Sequence, residues 1–182
     1  MARSVCISIL LLTAFAAESF AGDAATSPTL SLPPPGEVRE ITANGYKKLI
    51  ANHQHDLLVV NFWATWCVPC VIEIPHFVKA SETFKERRVQ FVGVSLDFLD
   101  ERKARVEPFL KEHKVPYPNF ILNADQNTFL KSFPEDWTGA LPATFLYDRH
   151  GTLLAHTLKA MTGEELDQLI EANLKQVSPP SP

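Results

Sequence analysis

The sequence is poor in cysteine and lacks any run of lysine or arginine. Three of its 182 residues are cysteines, and 21 acidic side chains outnumber 17 basic ones. A formal net charge of -4 without a basic cluster gives no electrostatic footprint for nucleic acid or for an anionic membrane surface. We therefore expect neither as a partner. A chain of this length, 46% hydrophobic, is expected to form one globular domain.

The apolar run from Val5 to Ala17 is shorter than the roughly 18 to 20 residues that a membrane span requires. A basic start precedes this run, and small residues stand just before Gly22 at the positions that signal peptidases read. The pattern predicts a signal peptide over residues 1–21, cleaved after Ala21, and hence a periplasmic protein. A retained N-terminal membrane anchor is the alternative.

Removal of this leader takes Cys6 with it and leaves two cysteines, Cys67 and Cys70. Exported proteins usually employ cysteines as disulfides between distant segments, so a single close pair is better explained as a redox site. A four-cysteine zinc site would need a second pair, and a structural disulfide here would close too small a loop to stabilise the fold much. Two buried, unreactive thiols are the remaining alternative.

Proline-rich segments flank the predicted domain. Residues 22–37 are poor in charge, and their prolines prevent a regular pattern of backbone hydrogen bonds, which predicts a linker. Residues 177–182 are of the same kind and predict a disordered tail. The folded domain is therefore expected over residues 38–176.

Hydrophobic periodicity predicts an alternation of strands and helices. The predicted strands are 57–64, 89–96, 119–122, 143–147 and 152–156. The predicted helices are 42–52, 67–87 with a kink at Pro75, 101–114, 125–133 as a short helix or turn, and 162–174. Gly151 marks the tight turn of a terminal hairpin. This order predicts an α/β fold with a mixed central sheet and helices on both faces.

The segment Trp63-Ala-Thr-Trp66, at the end of the predicted strand, leads directly into the helix predicted to begin at Cys67. The sulfur of Cys67 should therefore face unpaired backbone N–H groups and the positive end of the helix dipole. Such placement lowers the pKa of a cysteine thiol from about 8.5 toward neutrality, so Cys67 is the predicted nucleophile. Cys70 lies one turn further on the same face and is the predicted resolving thiol.

The segment Val60-Asn-Phe-Trp-Ala-Thr-Trp-Cys-Val-Pro-Cys70, followed by Glu73-Ile-Pro75, resembles the thioredoxin-like thiol-disulfide oxidoreductases of the TlpA, ResA and DsbE (CcmG) group. The resemblance extends from about Val38 to Leu174. It implies a thioredoxin fold with a central insertion, to which Val115-Pro-Tyr-Pro118 is similar.

The resemblance also assigns roles outside the cysteine pair. Leu141-Pro-Ala-Thr-Phe145 is similar to the loop that bears the family's cis-proline, which implies a cis bond before Pro142 and a backbone at Leu141 that pairs with an incoming peptide. An ordinary trans proline at a strand entrance is the alternative. Trp66 is expected to shield the sulfur and to contact partner proteins, whereas Trp63 is expected in the core.

Asn61 stands where cytoplasmic thioredoxins carry a buried aspartate that handles the proton of the resolving cysteine. An amide cannot titrate, so another group must take that role. The resemblance implies Glu73, and partial burial near a thiolate would raise its pKa. A solvated carboxylate on the helix surface is the alternative.

Metal and peroxide chemistry are not expected, and no cofactor is implied. His53, His55 and His76 could suggest a metal site, but copper-delivery proteins of the Sco type separate their two cysteines by three residues, not two. A peroxiredoxin carries Pro-X-X-X-Thr-X-X-Cys, and the matching positions here are Val60 and Ala64.

The leading hypothesis is a monomeric, extracytoplasmic reductase of client protein disulfides. The resemblance implies a membrane thiol donor of the DsbD or CcdA type, and clients such as the haem-binding cysteines of apocytochrome c or a cysteine of a copper-site protein. A redox-inactive, chaperone-like module that binds extended peptides is the rival, although the intact cysteine pair argues against it. An oxidase is the third alternative, because the reduction potential cannot be derived from Val68-Pro69, the two residues between the cysteines.

Overall fold

The computed structural model describes residues 30–134 and 137–177, so the predicted signal peptide lies outside the described residues. The strands are β1 (Val38–Ile41), β2 (Leu57–Trp63), β3 (Val89–Ser95), β4 (Asn119–Leu122), β5 (Ala143–Asp148) and β6 (Leu153–Thr157). The helices are α1 (Ala43–Asn52), α2 (Val68–Thr83), α3 (Glu107–Glu112), α4 (Gln126–Leu130) and α5 (Gly163–Val177). None of the helices in these two ranges is long and apolar enough to cross a membrane.

The six strands form one mixed sheet in the order β1-β4-β3-β2-β5-β6. The first four strands in that order are parallel, and β5 and β6 are each antiparallel to their neighbour. Every residue of β2 is buried, as expected for a strand covered on both faces. The α/β fold with a mixed central sheet is therefore confirmed. Because β2 and β3 run parallel, their carboxyl ends meet at the same edge of the sheet.

Two hydrophobic clusters cover the two faces of the sheet. Successive side chains of a strand point to opposite faces, and β2 divides its residues accordingly. We call the face with α2 and α5 the helix-2 face; its cluster includes Leu57, Val59, Trp63, Ile74, Phe77, Leu166 and Ile170. We call the opposite face, with α1 and α4, the aromatic face; its cluster includes Leu58, Val60, Phe62, Tyr46, Leu49, Phe129 and Phe145.

The segment predicted as one helix over 101–114 is irregular in its first half. Residues 99–101 form a 3₁₀ turn, Arg102–Val106 form a π-helical turn, and only α3 is α-helical. Pro108 explains the difference, because its ring has no N–H and collides with the carbonyl four residues earlier. The N–H of Glu107 bonds instead to the carbonyl of Arg102, five residues back.

The described part of the predicted linker lies against the domain. Pro33 is buried, and Leu30 packs on the aromatic-face cluster. The Arg39 guanidinium donates to the hydroxyl and the carbonyl of Ser31. Regular structure then starts with β1 at Val38, a strand that the sequence did not predict.

Candidate active site

Both cysteines lie at the amino end of α2, directly after the short loop that connects β2 to this helix. Cys67 is the N-cap residue, and its Sγ accepts the backbone N–H of Cys70 at 3.3 Å. The two sulfurs form a disulfide, with Cα atoms 5.2 Å apart. Pro69 occupies the first turn, where a missing N–H costs the helix nothing. The strand-to-helix corner predicted from the sequence is therefore present.

The surroundings of the sulfurs favour a thiolate once the disulfide is reduced. No acidic residue lies in the first turn of α2, so the unpaired N–H groups and the helix dipole act on Cys67 without a competing carboxylate on that turn. Cys70 is completely buried, whereas Cys67 keeps 5% of its surface exposed. Cys67 is therefore the cysteine that a partner protein can reach.

The side chain of Glu73 points from α2 toward the sheet and is buried, so it is not a solvated carboxylate on the helix surface, the alternative left open by the sequence. Its Oε1 accepts the side-chain amide of Asn61 at 2.9 Å, and its Oε2 accepts the backbone N–H of Met161 at 3.1 Å. Burial raises the pKa of Glu73 to about 7, against the opposing effect of these two hydrogen bonds. The site thus holds a carboxyl group that changes protonation near neutral pH.

Asn61 fixes one side of this carboxyl group. Besides Glu73, its amide nitrogen donates to the hydroxyl of Thr144 on β5 at 3.2 Å. Its carbonyl oxygen is buried and has no hydrogen-bond partner among the described residues. Asn61, which cannot titrate, therefore holds the titratable carboxyl group of Glu73 in place.

The loop before β5 lies beside the same end of the sheet. The Leu141–Pro142 peptide bond is cis, as the resemblance implies, and β5 begins at the next residue. Ala143 pairs with Phe62 near the end of β2, the strand that leads to the cysteines. Leu141 is partly exposed and contacts the clusters of both faces.

The two tryptophans next to the cysteines have different environments. Trp63 is fully buried, and its indole N–H donates to the side-chain oxygen of Asn119 at 3.1 Å. Trp66 is 56% exposed, and the apolar side chains of Val68 and Ile72 on α2 are exposed with it. An apolar rim, Trp66, Val68 and Ile72, therefore borders the disulfide.

Asp97 is a residue of the site that sequence reasoning missed. Its buried carboxylate accepts the backbone N–H of Thr65 at 3.0 Å on Oδ2 and at 3.2 Å on Oδ1, and also the hydroxyl of Thr65. The hydroxyl of Ser95 donates to it at 2.6 Å. Asp97 thereby fastens the loop that carries Trp66 and Cys67 to the end of β3. An aspartate directly after a buried parallel strand was the signal available in the sequence.

The histidines considered as metal ligands fall in two separate places, with His53 and His55 in the loop after α1 and His76 on α2. His53 Nε2 bonds to the carbonyl of Asp148 at 2.7 Å, and burial lowers its pKa. His76 instead lies beside Gly163 at the start of α5. Within residues 30–134 and 137–177, no three His, Cys, Asp or Glu side chains are grouped to hold a metal ion.

The fold and the site together define a thiol-disulfide oxidoreductase with a thioredoxin fold. A Cys-X-X-Cys disulfide at the start of a helix, a cis-proline loop at the same end of the sheet and the mixed sheet itself carry this assignment. The chain belongs to the AhpC/TSA family, whose model matches residues 22–156.

Individual relatives agree with this class. Over 128 residues the chain is 28% identical to the thiol-disulfide oxidoreductase ResA of Geobacillus kaustophilus (strain HTA426), covering 70% of this chain and 69% of the relative. A thioredoxin-related protein from Neisseria meningitidis serogroup B superposes with a TM-score of 0.56 at 27% identity, over 67% of this chain and 87% of that one. A thioredoxin-family thiol:disulfide interchange protein from Chlorobium tepidum TLS shares the fold, with a TM-score of 0.57 at 22% identity over 79% and 97% of the two chains.

Proposed function

We propose that the protein is a monomeric, extracytoplasmic reductase of client protein disulfides. The observation that carries this proposal is the Cys67–Cys70 pair at the amino end of α2, the helix that also bears the buried carboxyl group of Glu73. The short apolar run ahead of Gly22 and the use of only two cysteines in the remaining chain support export through a cleaved signal peptide.

In the proposed reaction the reduced protein attacks first through Cys67. The Cys67 thiolate bonds to one client sulfur, and the other client sulfur leaves with the electron pair and takes up a proton. Cys70 then loses its proton and attacks Cys67, which forms the intramolecular disulfide and releases the first client sulfur as a thiol. Two electrons pass from the cysteine pair to the client, and a membrane donor of the DsbD or CcdA type would restore the dithiol.

Glu73 is the proposed acceptor of the proton that Cys70 loses. It lies three residues after Cys70 in the same helix, a spacing that places both side chains on one face. With a pKa of about 7, its carboxyl group is divided between both protonation states near neutral pH. The release step should therefore speed up as the pH rises through about 7, and the Glu73→Gln variant should lose this dependence.

Trp66 and the backbone at Leu141 are the proposed docking contacts for the client. The exposed indole offers apolar area beside the sulfur, and the cis-proline loop offers backbone groups to an extended peptide. The haem-binding cysteines of an apocytochrome c, or a cysteine of a copper-site protein, are the proposed clients. Peroxidase chemistry is not proposed, because the buried Val60 and Ala64 stand where a peroxiredoxin has proline and threonine.

Insulin reduction by wild-type protein and by Cys67→Ser tests the enzymatic part of the proposal. Precipitation of the reduced insulin chains should accelerate with the wild type and not with the variant. Equal behaviour would reject the enzymatic function and leave the rival, a redox-inactive peptide-binding module.

The direction of electron flow needs a separate measurement, namely equilibration of the cysteine pair with glutathione. A reductase should have a potential well below that of the glutathione couple, where about 30 mV corresponds to a tenfold change in the two-electron equilibrium. A potential above the couple would make the protein an oxidase.

A further inference from the structure

Exposed large apolar side chains are concentrated around the disulfide. In the part of the chain that the structure describes, six such residues are exposed: Leu32, Trp66, Val68, Ile72, Phe98 and Leu99. Three of them form the apolar rim. Phe98 is the most exposed of all at 73%, and with Leu99 it lies on the loop that follows β3. Single exposed apolar residues are common, but a pair beside three others requires an explanation.

The loop that bears Phe98 is fastened to the loop that bears Trp66. Asp97 precedes Phe98, and its carboxylate accepts both the backbone N–H and the hydroxyl of Thr65, the residue before Trp66. Standard backbone dimensions then keep the Cα atoms of Trp66 and Phe98 within about 15 Å of each other. Because an extended peptide advances about 3.3 Å for each residue, at most four to five of its residues separate the two positions.

Hydrogen bonds also hold the Phe98 loop in one conformation. The N–H of Phe98 donates to Glu101 Oε2 at 3.3 Å, and the N–H of Glu101 donates to the carbonyl of Phe98 at 3.0 Å. The N–H of Asp97 donates to the Ser95 hydroxyl at 3.0 Å. The loop is thus fixed at both ends of its exposed apolar pair, although the Phe98 side chain is largely exposed to solvent.

An open groove adjoins this loop at the carboxyl ends of β3 and β4. Its lining combines apolar side chains, among them Phe98, Leu99 and Leu122, with polar ones that include the carboxylates of Asp97 and Asp125. The carboxyl edge of parallel strands is where open α/β sheets bind their ligands. The groove lies at the same edge as the cysteine pair, so one polypeptide can contact both.

We propose that Phe98, Leu99 and this groove form a second client-docking surface that selects disulfide-bearing polypeptides with an apolar side chain within about five residues of the reactive cysteine. This inference rests on the proposed function, because the occupant is the client whose disulfide Cys67 attacks. Continuity with the disulfide site identifies that occupant. The rim receives the residues next to the client cysteine, and the Phe98 surface receives the apolar residue further along.

Peptide substrates with matched sequences test the proposal. Each peptide contains one cysteine and is used as its disulfide-linked dimer. It carries either Phe or Ser four residues from the cysteine, on the N-terminal side in one pair of peptides and on the C-terminal side in the other. The reduced protein should react with the Phe peptide at least about fivefold faster for one of the two placements, as expected for an aromatic contact at an interface. Acid quenching followed by chromatography gives the second-order rate constants.

Variants of the loop then assign the preference to its side chains. Phe98→Ser and Leu99→Ser should each lower the ratio of the two rate constants toward one, whereas Phe98→Leu should keep most of it. Leu32→Ser, a substitution of an exposed apolar residue outside the apolar rim and the Phe98 loop, is the matched control and should leave the ratio unchanged.

Three results would overturn the inference. They are a wild-type protein that does not distinguish the peptides, a preference that survives both serine substitutions, and a sedimentation coefficient that falls from dimer to monomer in Phe98→Ser, which would assign the surface to a second copy. A reduced wild type that also fails to react with 5,5′-dithiobis(2-nitrobenzoate) would instead reject the proposed function, and the inference with it.

Discussion

The two faces of the sheet differ in the groups that they bury. The aromatic face packs rings against one another, among them those of Tyr46, Phe62, Phe129, Phe133, Trp137 and Phe145. Its buried hydroxyls of Tyr46 and Tyr147 bond to each other at 2.9 Å. The helix-2 face buries the carboxyl group of Glu73, and the oxygen of Asn61 and the hydroxyl of Tyr117 lack partners among the described residues. The aromatic face thus buries apolar rings and paired hydroxyls, whereas the helix-2 face loses some stability because it buries a titratable group on the helix that carries the sulfurs.

Truncation of a ring on the aromatic face should have the largest effect on stability. Phe62 is fully buried and lies 4.7 Å from Trp137 and 5.7 Å from Phe145, centroid to centroid. Phe62→Ala should lower the free energy of unfolding by about 3 to 5 kcal/mol, measured with urea. Phe98→Ala removes the same ring from an exposed position and should change it by less than about 0.5 kcal/mol. Similar losses would contradict the division between core and docking surface.

Neutralisation of the buried carboxyl group should stabilise the helix-2 face at high pH. The pKa of Glu73 lies near 7 in the native state and near 4.5 in the unfolded chain, so stability should fall as the pH rises from about 4.5 to 7 and stay reduced above it. The difference corresponds to about 3 kcal/mol. Glu73→Gln should remove this dependence in urea unfolding of the oxidised protein. Glu82→Gln, an exposed site on the same helix, should retain it; a flat wild-type profile would be inconsistent with the burial of an ionisable group.

Removal of the Asp97 charge should have an intermediate effect at the edge of the sheet. Asp97→Asn keeps the shape but replaces one acceptor oxygen by a donor, so the bonds from Thr65 and Ser95 cannot all persist. We expect a loss of about 1 to 3 kcal/mol in the free energy of unfolding. Thr65→Val and the double variant complete a thermodynamic cycle. Additive losses would show that the two loops are not coupled.

Loss of a hydroxyl should have the smallest effect, and a different sign on each face. The Tyr117 hydroxyl is buried without a partner in the described structure, so Tyr117→Phe should be neutral or slightly stabilising. Tyr46→Phe breaks the bond to Tyr147 and should lower the free energy of unfolding by about 0.5 to 1.5 kcal/mol. Thermal denaturation of both variants at one pH compares them directly, and a larger loss at Tyr117 would reverse the assignment.

Local signals in the sequence were sufficient for much of the fold and for the cysteine pair. The buried strand β2 is a continuous apolar run, and the helix that follows begins at the predicted cysteine. The strand β1 escaped prediction because it has four residues, and only Val38 and Ile41 at its ends are buried. Its pairing with β4 joins segments about 80 residues apart, which no local pattern encodes.

The parts of the site that could not be predicted depend on contacts between distant segments. Nothing near Glu73 in the chain indicates that the N–H of Met161 and the amide of Asn61 would enclose it. The contact of Asp97 with Thr65 likewise spans two loops. Such contacts follow from the register of β2 against β3, in which Trp63 lies opposite Ser95, and that register is a property of the folded sheet.

The carboxyl group of Glu73 belongs to the same helix as both sulfurs, whereas a strand-borne acid would be part of the sheet. Cys67 caps α2, and Cys70 and Glu73 lie within its first two turns. A tilt or slide of that helix against its supports would carry all three groups along as one rigid unit. The distance between the Glu73 carboxyl group and the sulfurs is therefore little affected by small motions of the rest of the domain when a client protein binds and leaves.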